Sequence, residues 1–218
     1  MRTSQRLVES HHQLWHAATH AVFLDGVADG SLSATDFDRW LEQDHHFVQG
    51  LIRAWGLLLQ TAPRQDLPLL TGGIVAFTAE LAWFEDIARG RRSGGQPGLD
   101  FSGPLTRATN AYNQELRSLA RGPYQQAITA MWAVEAAYLH AWQGVAPGAD
   151  AYADYVAHWA NEEFAEFVAA VAAVVNRELP DGPTPGATDA FVRIARQEAL
   201  FWSMTSGDRS HTVVSDGT

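Results

Sequence analysis

Apolar residues recur at intervals of three and four along almost the whole chain, which is the spacing that places side chains on one face of an α-helix. Alternation of apolar and polar residues over strand length is scarce. The pattern predicts an all-α fold, a single-domain bundle of about seven helices. These helices are expected at residues 4–24, 34–61, 66–90, 104–121, 123–143, 150–178 and 186–205.

Capping and helix-breaking residues mark the predicted boundaries. Ser33 and Asp36 have the spacing of a helix N-terminal cap. The Gly-rich segment 89–98 and the Pro-rich segment 178–186 are not expected to continue a helix. We therefore interpret residues 1–205 as one helical domain, followed by a loosely ordered polar tail at 206–218.

The composition is typical of a globular protein and disfavours several kinds of partner and chemistry. Of the 218 residues, 46% are apolar and 18% are charged, which is enough apolar material for a large core. The net charge of -10 disfavours nucleic acid and anionic membranes as partners. The sequence has no cysteine, so disulfides and thiolate nucleophiles are excluded.

The sequence shows no signal-peptide pattern and no run of about 18 apolar residues. We therefore expect a cytoplasmic protein that does not act at a membrane.

Four acidic residues occupy helix positions that the apolar spacing assigns to the core, and each precedes an aromatic residue by three positions. Burial of a carboxylate costs several kcal/mol unless it is paired, hydrogen-bonded or protonated. Few basic residues are expected to face inward; the candidates are Arg53, Arg196 and His140. This imbalance predicts a polar cavity that a ligand completes, although Glu80 taken singly is better explained as structural. The four acids are Asp44, Glu80, Glu135 and Glu198.

A cavity with carboxylates and aromatic walls suits a flat, nitrogen-rich heterocycle. Such a ring stacks on aromatic side chains, and its nitrogens form hydrogen bonds with carboxyl groups. Carboxyl groups that share a partly desolvated site can also divide the roles of acid and base. That arrangement is sufficient for hydrolysis without a metal.

A metal-dependent enzyme is the alternative to a hydrolase that uses carboxyl groups alone. Di-iron bundles carry Glu-x-x-His on two helices, but here the third position after each acid is aromatic. His158 and Glu162 form at most a partial site, and His16 and His20 have metal-ligand spacing without the remaining zinc motif. A di-metal oxidase remains the alternative enzyme, and the favoured interpretation has no metal and no cofactor.

Six segments together resemble the TenA family, also called thiaminase II or aminopyrimidine aminohydrolase, which has an all-α haem oxygenase-like fold. The likeness extends over nearly the whole chain. It is carried by LWHAATHAVFLDGVADGSL (14–32), FDRWLEQDHHFV (37–48), AELAWFED (79–86), MWAVEAAY (131–138), HWANEEF (158–164) and QEALFWSM (197–204).

The resemblance implies roles for particular residues. Asp44 would hold an amino-pyrimidine, Glu198 would serve the same ring, and Phe47 and Tyr112 would form stacking walls. Further residues expected to contact the substrate are Trp132, Tyr138, Trp159 and Phe201.

The residue at the expected nucleophile position differs from that of the better-known branch of this family. Ala130 occupies the position at which that branch has a cysteine. The WAVEAAY segment is similar to the cysteine-less TenA-E branch, in which a glutamate, here Glu135, is the suspected replacement. Resemblance to that branch implies hydrolysis of amino- or formylamino-hydroxymethylpyrimidine in thiamin salvage, by a homo-oligomer that is a dimer or tetramer. A non-catalytic binder of thiamin-related ligands would have the same walls and stays an alternative.

Overall fold

Ten α-helices and no strand occur within residues 1–95 and 97–204, the parts of the chain that the computed structural model describes. The predicted all-α fold is therefore confirmed. A 3-10 turn at Arg64–Asp66 precedes the fifth helix. The helices are α1 (Thr3–Ser10), α2 (His12–Thr19), α3 (Val22–Asp29), α4 (Ala34–Leu58), α5 (Leu67–Ser93), α6 (Arg107–Ala120), α7 (Tyr124–Val145), α8 (Ala153–Trp159), α9 (Glu162–Glu178) and α10 (Pro185–Ser203).

The prediction of one helix over 4–24 was wrong, because three short helices cover this region. The backbone leaves the helical conformation at His11 and again at His20 and Ala21. Neither break has a glycine or proline, so local sequence did not mark them. The bends allow α1, α2 and α3 each to bury apolar residues in one core, and Gly30 ends α3 with a φ of 80°.

The predicted helix 150–178 is also divided, at Ala160 and Asn161. The Asn161 side chain accepts a hydrogen bond of 2.7 Å from the backbone N–H of Phe164 and so caps α9. Two glutamates in the first turn of α9 add favourable charge at its N-terminus.

Other boundaries follow the prediction within a few residues. The Ser33 side chain caps α4 by accepting from the Asp36 N–H at 3.1 Å, as predicted. Helix α5 continues to Ser93, further into segment 89–98 than expected. Arg91 stabilises this last part of α5, since its guanidinium binds Asp38 and the Tyr155 hydroxyl. The predicted tail at 206–218 lies outside the described residues.

Helix α7 lies at the centre of the fold and is buried on nearly all sides. It packs against α2, α6, α8, α9 and α10. Alanines at several of its buried positions have small side chains and so permit close approach of the neighbouring helices. These buried alanines are Ala127, Ala130, Ala133, Ala137 and Ala141.

Helix α5, together with its preceding turn, is much less buried than α7. By length and composition alone, the segment Arg64–Ser93 could cross a membrane, since its mean hydropathy is 1.5. Only 22% of its apolar 18-residue stretch is buried. One such helix is weak evidence for a membrane span. Its buried residues Leu70, Phe77 and Phe84 follow helical spacing and pack on the core, whereas Val75 on another face is 69% exposed.

Helices α4 and α6 approach closely at Gly50. A Cβ added there would lie 1.9 Å from Oδ1 of the buried Asn113. Gly56 in the same helix has no heavy atom within 4 Å of that position. We expect Gly50→Ala to lower the free energy of unfolding by about 1–3 kcal/mol through overpacking, and Gly56→Ala to raise it by about 0.5–1 kcal/mol. Urea denaturation of both variants checks this. Equal stability of the two would contradict the close contact.

Candidate active site

A cavity of about 470 Å³ lies among α4, α5, α7, α8 and α9, within the size range usual for small-molecule sites. Its wall is aromatic and acidic. No lysine or arginine belongs to the wall that the described residues form. The aromatic members are Phe47, Phe77, Tyr138, Trp159, Phe164 and Phe167, and the acidic ones are Asp44, Glu80, Glu135 and Glu163.

Asp44 lies on the inner face of α4 and is only 2% exposed. The Tyr138 hydroxyl on α7 donates a hydrogen bond of 2.9 Å to Asp44 Oδ2. Oδ1 has no hydrogen-bond partner among the described residues. Burial raises the pKa of Asp44 well above its usual range, the Tyr138 bond opposes this, and the negative charges of Glu80 and Glu198 add to the increase.

Glu198 on α10 is 1% exposed and lies behind the cavity wall. Its Oε1 accepts a hydrogen bond of 2.6 Å from the Tyr112 hydroxyl, and its Oε2 has no partner in the described part of the chain. Burial raises the pKa of Glu198 to about 8, although the Tyr112 bond lowers it. Glu198 is therefore protonated near neutral pH and can donate a hydrogen bond.

Glu135 on α7 lines the cavity and is 3% exposed. Its Oε1 is buried without a hydrogen bond to any described residue. Burial raises the pKa of Glu135 well above its usual range, and the charges of Glu198, Glu80 and Asp44 raise it further. These mutual effects place the four predicted acids in one electrostatic cluster.

None of the basic residues considered as partners pairs with an acid of this cluster. Arg53 is exposed and donates to the backbone of its own helix, and Arg196 and His140 are exposed. Tyrosine hydroxyls bond Asp44 and Glu198, and the raised pKa values of Asp44, Glu135 and Glu198 favour their protonated forms. A neutral or positively charged ligand suits such a site, because an anion would add to the repulsion.

Glu80 differs from the other three acids because both of its oxygens are bonded. Oε1 accepts from the Trp159 indole N–H, and Oε2 pairs with His158 Nε2, each at 2.7 Å. The His158 ring stacks on Trp83 with a centroid distance of 3.8 Å and an interplanar angle of 8°. These contacts are compatible with the structural interpretation of Glu80, which stays a prediction, and Glu80 and His158 also border the cavity.

The aromatic residues expected at the substrate differ in their positions. Phe47, Tyr138 and Trp159 line the cavity. Tyr112, expected as a stacking wall, and Phe201, expected to contact the substrate, instead lie one layer behind. Their rings contact Phe47 at centroid distances of 4.7 and 5.2 Å.

Trp132 does not reach the cavity in this structure. Its ring stacks on Phe191 of α10, with centroids 6.0 Å apart. Helix α7 is buried on nearly all sides, so an inward position on it does not specify which neighbour the side chain meets. The cavity position assigned to Trp132 is therefore corrected.

Several cavity residues were not singled out from the sequence. His158 was considered only as a partner of Glu162, whereas it bonds Glu80 on another helix. Phe164 and Phe167 follow the Asn161 cap, and their i, i+3 spacing on α9 was the available signal. His45, next to Asp44 in the sequence, lies outside the cavity wall and is buried, with its ring stacked 4.1 Å from that of Phe101.

Metal-ligating residues do not cluster within residues 1–95 and 97–204: no group of three or more His, Asp or Glu is arranged to hold a metal ion there.

A second hollow of about 360 Å³ lies between α5 and residues 99–102. Its polar lining includes Arg89, Arg92 and Asp100, and it contains none of the clustered acids.

Comparison with known proteins identifies the family that the chain resembles. The family model described as TENA/THI-4/PQQC matches residues 8–208. A Glycine max protein inferred to be a bifunctional TENA-E protein is 25% identical over 219 residues, covering 92% of each chain.

Solved structures agree with this match. A TenA homologue from Pyrococcus furiosus is 25% identical, with a TM-score of 0.84, over 93% of this chain and 99% of that one. A TenA family transcription regulator from Silicibacter is 19% identical, with a TM-score of 0.81, over 92% and 95% of the two chains. The helical haem oxygenase-like fold expected from the sequence is thereby confirmed.

The raised pKa of Glu198 makes stability depend on pH. The folded protein keeps a proton up to about pH 8, whereas the unfolded chain loses it near the ordinary value of 4.5. The contribution of Glu198 to stability is therefore complete at low pH and is lost as the pH rises through about 8. We expect the Tm of Glu198→Gln, relative to wild type, to rise between about pH 5 and about pH 8.

Thermal denaturation at both pH values measures this difference. Glu162→Gln, on the exposed face of α9, controls for the change in net charge. A Tm difference that does not change with pH would show that Glu198 is not held in its protonated form.

Proposed function

We propose, from the premise that the chain belongs to the TENA/THI-4/PQQC family, that it is a metal-independent hydrolase of thiamin salvage. Its substrates are amino- or formylamino-hydroxymethylpyrimidine, and its product is hydroxymethylpyrimidine. The likeness to the Glycine max TENA-E protein supports the cysteine-less branch, and a Sulfolobus solfataricus neighbour proposed as a TenA-like thiaminase supports thiamin-related chemistry.

The observation that carries this proposal is the set of buried carboxyl oxygens around an aromatic cavity without a cation. Asp44 Oδ1, Glu135 Oε1 and Glu198 Oε2 all lack hydrogen-bond partners among the described residues. Such groups are costly to bury unless a ligand satisfies them. An amino-pyrimidine supplies N–H donors for carboxylates and a ring nitrogen that accepts from a protonated acid.

Each acid then has a distinct role. Asp44, oriented by Tyr138, accepts from the exocyclic amino group of the ring. Protonated Glu198 is proposed to donate to a ring nitrogen and to neutralise charge that develops there, which requires the ring to displace the wall residues in front of it. Glu135 supplies the basic oxygen, either as nucleophile or to take a proton from water. In the overall reaction the C–N bond of the aminomethyl group breaks, water supplies the new hydroxyl, and ammonia leaves.

The direct test is to incubate the purified protein with amino-hydroxymethylpyrimidine, its formylamino form and thiamin, with and without a chelator, and to identify the products. Ammonia and hydroxymethylpyrimidine that form equally with chelator support the proposal. Binding without turnover would indicate a non-catalytic binder, and loss of turnover on chelation would indicate a metal enzyme. Cytoplasmic location and a dimeric or tetrameric state stay predictions.

Replacement of Glu135 tests its role in the chemistry. Glu135→Gln keeps the size of the side chain but removes the basic oxygen, so kcat for ammonia release should fall about 100-fold or more while substrate affinity largely survives. Steady-state kinetics and a binding titration separate the two effects. The control is Glu162→Gln, since Glu162 is exposed and outside the cavity wall. Near-normal turnover of Glu135→Gln would show that another carboxyl group carries the reaction.

A further inference from the structure

We propose that His158, held by Glu80, is a second catalytic base at the outer end of the cavity, which hydrolyses an N-formyl amide on the substrate before Glu135 acts on the exposed amine. This assignment rests on the proposed function. It divides the two hydrolytic steps between two groups of one cavity.

The contacts of His158 determine which ring nitrogen is available. Nε2 lies 2.7 Å from Glu80 Oε2, and a carboxylate accepts hydrogen bonds, so Nε2 carries the proton. Nδ1 then has a free lone pair, and it makes no hydrogen bond to the described residues. Glu80 is itself oriented by the Trp159 indole N–H. This is the arrangement in which a carboxylate holds a histidine in the tautomer required of a general base.

The plane of the His158 ring is fixed by a second contact. The ring stacks on Trp83 with a centroid distance of 3.8 Å and an interplanar angle of 8°. Together with the bond to Glu80, this stacking holds the imidazole in one orientation at the border of the cavity.

Exposure of the side chains gives the cavity an inner and an outer end. Asp44 and Glu135 are 2% and 3% exposed, whereas the side chains of Glu80 and His158 are 18% and 31% exposed. In this proposal, a pyrimidine held at the inner acids directs its aminomethyl substituent toward the outer end. The formyl carbon lies two bonds beyond the methylene carbon, and so it lies nearer the outer end.

The proposed step balances without a co-reactant other than water. His158 Nδ1 takes a proton from water, and the hydroxide adds to the formyl carbon. The tetrahedral intermediate collapses with cleavage of the bond between that carbon and nitrogen. The imidazolium returns its proton to the departing amine, and formate leaves. The free amine is then the substrate for hydrolysis at the methylene carbon.

Separate assays of the two substrates test this assignment. The full-length protein is given the formylamino compound, with formate measured, or the free amine, with ammonia measured. We expect His158→Gln to lower formate release about 100-fold or more and ammonia release by less than about ten-fold. Glu135→Gln should show the reverse. Glu80→Gln, which disturbs the orientation of His158, should lower formate release selectively, a split that a purely structural role would not produce.

Rescue by added imidazole distinguishes loss of the catalytic base from a folding defect. Exogenous imidazole should restore formate release to His158→Ala, because the half-exposed site is open to a small base. Equal loss of both activities in His158→Gln, or formate release unchanged in that variant, would overturn the assignment. A wild-type protein that hydrolyses neither compound would instead overturn the proposed function on which the assignment rests.

Discussion

Three buried carboxyl groups on three helices share one region without a cation, and this constraint governs the rest of the structure. Asp44, Glu135 and Glu198 cannot all ionise there, because each pays for desolvation and for the charge of its neighbours. Tyrosine hydroxyls relieve two of them, and Glu135 is left without such a bond. The folded state therefore holds one oxygen of each group without a bond to any described residue, which is the condition that the proposed substrate would relieve.

The surrounding fold compensates for this local cost. Helix α7 carries Glu135 and Tyr138 through the centre of the bundle, with alanines on its remaining sides that allow dense packing. Large aromatic residues on α7 and on the helices around it, including Trp142 of α7 and its neighbours Trp40 and Trp202, are fully buried. The free energy gained by this apolar burial offsets the cost of burying the polar cluster. Proteins commonly accept such a local loss of stability at functional sites.

Local periodicity was sufficient to predict the inward acids, because Asp44 and Glu198 lie on amphipathic helices with one buried face. It was not sufficient for Trp132, since α7 is buried on nearly all sides and periodicity then selects no particular neighbour. The pairing of Glu80 with His158 joins residues 78 positions apart and depends on tertiary packing. The break at His20 has no glycine or proline in the sequence to signal it, whereas the one at Asn161 has a local capping residue that the sequence displays.

The position of Trp159 has an optical consequence. Its indole borders the cavity and donates to Glu80, and its ring lies 4.6 Å from that of Trp142 and 5.4 Å from that of Trp83. Indole emission depends on local polarity and on neighbouring aromatic rings, and excitation energy passes readily between rings this close. A heterocycle that enters the cavity therefore alters the emission of a coupled group of tryptophans, so the protein carries a built-in fluorescent reporter of its own occupancy.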